Sequence, residues 1–195
     1  MSESKSYVRS ESLDPGALER AGWRNAELIW EQIQETAAEL NATGAWEEAA
    51  ELWEGALEIA QEHFRHDDPR LATSLANHGL AARRSGRDPA ALFDEALSVW
   101  DSAQAWIAGL RPERRARSSL FHLRLQTKHR GAYDRFSRQR YAELAAEGRA
   151  ALLACRDDTE REDDRLARWV REGRQGGLTD ARKLMAAAWL IAPAR

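Results

Sequence analysis

One cysteine, two methionines, five prolines and three valines are all that this chain of 195 residues holds of those four types, and each scarcity excludes something. Cys155 alone cannot close an intramolecular disulfide, and no CxxC metal or redox motif exists without a second cysteine. A reducing compartment, the cytoplasm, is the expected setting. Val, Ile and Thr together number only 14, too few β-branched side chains for a protein built on sheets. Long apolar runs are missing too. The longest, Leu184 to Ala192, is far short of the roughly 20 residues of a membrane span, and the opening MSESKSYVRSES has no apolar stretch of the signal-peptide kind. The expectation is a soluble protein with no membrane contact. No GxSxG, HExxH, P-loop or GxGxxG pattern occurs, so the sequence names no nucleophile, metal set or phosphate cradle, and no enzyme and no cofactor are expected. His63 and His66, with Asp67 and Asp68 beside them, have a spacing that can share a metal. Asp68-Pro69, however, reads as a helix start, and no metal site is assigned.

What is present is a chain 43% hydrophobic and 31% charged, able to bury a core and rich in the helix formers Ala, Leu, Glu and Arg. The fold class is all-α. Its net charge of −3 conceals an asymmetry. Residues 1–64 carry 4 Lys/Arg against 14 Asp/Glu, whereas residues 111–140 carry ten basic side chains against Glu113 and Asp134. Such a local field attracts an acidic partner, and the alternative is an Arg-rich solvated helix face.

Periodicity divides the chain into helices. Leu28, Ile29, Ile33, Ala37 and Leu40 share one helical face over residues 24–43, and Trp46, Ala49, Trp53, Ala56, Leu57 and Phe64 share another over 46–64. Gly44 stops the first and permits a tight turn, which makes the pair an antiparallel hairpin. Asp68-Pro69 then caps a third helix ending at Gly86, and Asp88-Pro89 repeats the signal for a fourth running to about Ile107. Gly44 and Gly86 are 42 residues apart. A fixed period joining helical hairpins is the signature of a solenoid. A third hairpin is expected from Ser118 to Gly131 and from Tyr133 onward, spaced 45 residues from Gly86. Trp46, Trp53, Trp100 and Trp106 lie on the apolar stripes of second helices and are expected in the core. Residues 1–13 read as a disordered tail, 14–157 as the repeat domain and 158–195 as C-terminal capping helices. The last of these helices (Leu184, Met185, Ala188, Trp189, Ile191) would cover the end of the solenoid or pair with its copy in a homodimer.

The segment from Gly44 to Ile59, with Trp46, Ala49, Trp53 and Ala56 alternating large and small, resembles the turn and second helix of the tetratricopeptide repeat. The stretch from His66 to Gly86, with Pro69, Ala72, Leu75, Asn77, Gly79 and Leu80, resembles the longer variety found in kinesin light chains. The resemblance covers residues 30–131. It implies a concave groove, lined by the first helix of each hairpin, that holds a peptide or helix of a partner protein. By that resemblance the partner-binding candidates are Gln34, Asn41, Asn77, Leu80, Arg83, Arg84, Phe121, His122, Lys128 and His129. Asn77 would hold a peptide backbone with both groups of its amide, and Arg84 and Lys128 would select an acidic segment. The expected function is therefore a protein-interaction adaptor or scaffold. The alternative is a nucleic-acid binder using residues 111–140, against which the acidic first third and a pI near 6.0 argue.

Overall fold

The computed structural model of the chain describes residues 24–109, 130–159 and 190–192. Within them are six helices: α1 (Asn25–Thr43), α2 (Trp46–His63), α3 (Pro69–Arg84), α4 (Ala90–Ser102), α5 (Gln104–Gly109) and α6 (Arg130–Arg156). No strand occurs among the described residues. The expected tail, residues 111–129 and nearly all of 160–195 lie outside them.

The punctuation of the chain is local chemistry. At the end of α1, Gly44 adopts the left-handed conformation (φ 88°), Ala45 N–H donates to the Leu40 carbonyl and Gly44 N–H to that of Asn41. At the end of α3, Gly86 (φ 73°) does the same, with Arg87 N–H on Ala82 and Gly86 N–H on Arg83. Both are Schellman closures, which satisfy carbonyls a helix end leaves open and favour glycine at the left-handed position. The end of α6 uses the same bonds, Thr159 N–H on Ala154 and Asp158 N–H on Cys155, with Asp158 (φ 51°) in the glycine's place. Helix starts follow equally local rules. The Asp68 carboxylate accepts from Arg70 N–H, with Pro69 in the first turn. Asp88 accepts from Ala90 N–H at the same two-residue offset.

Consecutive helices pack on one another from α1 to α5, and α6 lies against α3, α4 and α5. Helix α3 is at the centre, buried on almost every side from Pro69 to Ala82. Its small side chains follow from that position: a Cβ on Gly79 would stand 2.8 Å from the Phe93 ring. Trp100 sits similarly over Gly148 of α6, where an added Cβ would fall 2.2 Å from the indole.

Four sequence expectations change here. The fourth helix breaks at Ala103 into α4 and α5. Gly131, expected as a turn, is the second residue of the 27-residue α6. Trp46 is 54% exposed, because it precedes the stretch of α2 that is buried (Ala49, Trp53, Ala56, Leu57, Ala60). The apolar face of α1 is only partly covered. Ala37 is buried and Ile29 exposed, while Leu28, Ile33 and Leu40 are half-buried. The residues of α1 that go inside are Glu27, Trp30, Glu31, Gln34, Glu35, Ala37 and Asn41, and partners on α3 account for Glu27, Trp30 and Gln34.

Candidate functional site

Helices α1 and α3 lie side by side and are joined by polar side chains. At one end Arg70 is almost fully buried. Its guanidinium donates to Glu27 Oε1 at 3.0 Å and to Asp68 at 2.7 and 3.0 Å, and it lies 3.9 Å over the Phe64 ring. Burial opposes its charge, but Asp68 and then Glu27 outweigh that effect and its pKa moves up. Glu27 also reaches back to accept from Arg24 N–H at 2.8 Å. Farther along, Trp30 Nε1 donates to Ser74 Oγ at 2.8 Å, Gln34 Nε2 donates to the same oxygen at 3.2 Å, and Ser74 donates to the Arg70 carbonyl. Asn77 Nδ2 donates to Gln34 Oε1 at 2.8 Å. These α1–α3 bonds connect residues 40 to 44 apart, bracketing the Gly44–Gly86 interval, and they advance in the same sense along both helices. The two helices are parallel and offset by one hairpin.

The ladder does not stop at Asn77. Its Nδ2 also donates to the Leu190 carbonyl at 2.9 Å, and its Oδ1 accepts from Ala192 N–H at 2.9 Å. One amide thus holds the backbone on both sides of Ile191, and Leu190, Ile191 and Ala192 are all buried. The Cys155 thiol, itself fully buried, contacts the Ala192 carbonyl at 3.8 Å. Arg83 ties the walls of this bay together, donating to the carbonyls of Cys155 (2.6 Å) and Arg156 (2.8 Å) at the end of α6.

The sequence-derived candidates divide accordingly. Gln34, Asn41, Asn77 and Leu80, expected on the floor of an open groove, are buried. Gln34 and Asn77 bond each other, and the chain's own residues 190–192 lie on Asn77. Hydrophobic periodicity could not reveal this, because a side chain that is polar in sequence goes inside once its bonds are satisfied. Arg83 serves the end of α6. Arg84 is exposed, with its guanidinium 4.6 Å over the Trp46 ring and its pKa lowered by partial burial. Phe121, His122, Lys128 and His129 lie outside the described residues. Sequence reasoning missed Ser74, the hub between Trp30 and Gln34, and Arg70. The only signal for either was their separation of 44 and 43 residues from Trp30 and Glu27.

An open cavity of about 500 Å³ lies between α5 and α6, lined by Ile107, Tyr141, Ala142, Ala145 and Arg149 among others. Among the described residues no three His, Cys, Asp or Glu side chains converge as metal ligands, and no helix is long and apolar enough to cross a membrane. No protein-family model matches the chain, and neither a curated protein nor a solved structure matches it.

Proposed function

We propose that the chain is a helical-hairpin repeat module of the tetratricopeptide type, and that its work is to bind a segment of a protein partner as an adaptor or scaffold, in the cytoplasm. The observation that carries the reading is the amide of Asn77, which grips a non-helical stretch of polypeptide by its backbone carbonyl and N–H. A side-chain amide used in this way recognises peptide backbone irrespective of sequence, as a peptide-binding surface must before its side-chain pockets add selectivity. The repeat character is supported by two identical helix closures 42 residues apart and by the one-hairpin offset of the α1–α3 bonds. Arg84, exposed at the end of α3, is the cation that would meet an acidic residue of the incoming segment.

Panning a displayed peptide library on the full chain tests this reading. The expected result is a recurrent peptide class, enriched in acidic residues, whose affinity falls by about tenfold or more on Arg84→Glu. Recovery of no peptide, together with RNA or DNA binding that collapses as salt is added, would replace the reading with the nucleic-acid alternative.

A further inference from the structure

The bay between α3 and the end of α6 is held together by bonds that do not pass through its occupant. The amide of Asn77 is oriented by Gln34, which is held by Ser74, which is held in turn by Trp30, and none of these bonds involves residues 190–192. The two walls are tied by Arg83 to the Cys155 and Arg156 carbonyls, again without the segment. Among the described residues, the bay meets its occupant through two hydrogen bonds of the Asn77 amide and one thiol contact, and Leu190 and Ile191 are buried. Residues 190–192 are themselves not helical. Among the described residues, the groups that bond their backbone, Asn77 and Cys155, carry no charge. A clamp whose orienting bonds do not involve the short non-helical segment that fills it has the features of a binding site with a resident ligand.

Resting on the reading of this protein as a peptide-binding module, we propose that this bay is an exchange site. Residues 190–192 occupy it in the resting chain, and a partner enters by replacing them with an extended segment of the same kind: two apolar residues of Leu-Ile character, with the carbonyl of the first and the N–H after the second free for Asn77. The resident segment sets the affinity of the partner, because only the fraction of molecules with an open bay can bind.

Cys155 supplies the readout. It is the only cysteine, it is fully buried, and it contacts Ala192, so its reaction with a thiol reagent reports departure of the segment. The probe is a synthetic peptide with the sequence of residues 186–195. Added in excess to the full wild-type chain, it is expected to change the rate of Cys155 labelling and to bind with an affinity measurable by fluorescence anisotropy. Ala192→Pro deletes the N–H that Asn77 accepts. It is expected to speed labelling by about tenfold and to tighten peptide binding by a similar factor, with helical circular dichroism unchanged. Faster labelling in Ala192→Pro without tighter peptide binding would overturn the proposal, leaving the segment a fixed cap. Loss of the folded state in that variant would overturn it too, as would a wild-type chain whose labelling ignores the peptide. Library panning separates this failure from failure of the broader reading. Library peptides that bind without altering Cys155 labelling would keep the module and discard the exchange, whereas an empty library would discard the module and with it the exchange that rests on it.

Discussion

The α1–α3 joint and the α4–α6 joint both turn on a buried tryptophan, yet they work by different physics. Trp30 donates to Ser74 within a chain of polar side chains that ends in the Arg70 ion pairs. Trp100 donates to the Ala145 carbonyl and lies against Gly148, where there is no side chain at all. The first joint specifies register and direction, because a slip of one residue would strand several buried donors and acceptors together. The second specifies distance, because the approach of two helices is limited by a single absent methyl. A chain that uses both can fix the order of its hairpins by hydrogen bonds and their spacing by shape.

The sharpest way to break that contrast is Arg70→Ala. It takes from the buried Glu27 the nearer of its two described cations, the other, the Arg24 guanidinium, standing at 3.7 Å, and is expected to cost up to about 3–5 kcal/mol, measured by denaturant unfolding. A loss under about 1 kcal/mol would mean that the polar joint contributes little to register. The shape-based joint is probed by two glycines that should respond with opposite signs. Gly148→Ala is expected to destabilise by about 1–3 kcal/mol through overpacking against Trp100, whereas Gly55→Ala, with open space around its added Cβ, should stabilise α2 by up to about 1 kcal/mol. Equal effects at both positions would show that helix propensity outweighs packing. A finer comparison uses the indole N–H. Trp53 is as buried as Trp30, but its Nε1 has no acceptor. Trp30→Phe should therefore cost about 1 kcal/mol more than Trp53→Phe, and thermal melts of the two variants would reveal the difference.

The parts of the structure legible in the sequence are those decided by one or two adjacent residues. Gly44, Gly86, Asp68-Pro69 and Asp88 act through backbone conformation and nearest-neighbour hydrogen bonds, and they stand where their residue types place them. The burial of Trp53 and Trp100 follows from apolar spacing. Trp46 did not yield to the same rule, because spacing identifies a face and does not say how far along it the neighbouring helix extends. The inward face of α1 was illegible for a different reason. Glu27 and Gln34 are polar in sequence, and nothing local says that they go inside unless Arg70, Ser74 and Asn77 are already known to lie opposite. The amide of Asn77 was legible as a backbone clamp, but the identity of the segment it clamps depends on which parts of a 195-residue chain meet, and no local pattern encodes that.

The seating of residues 190–192 also has a kinetic side. The hairpins of α1 with α2 and of α3 with α4 form between helices adjacent in the chain, whereas Asn77 meets Leu190 and Ala192 across 113 and 115 residues. Closing so large a loop costs entropy that local pairing does not, and contacts of high sequence separation form late when local ones can form first. The hairpins are thus expected to assemble before the segment arrives, which gives each newly made molecule an interval in which Asn77 is open to whatever polypeptide is nearest.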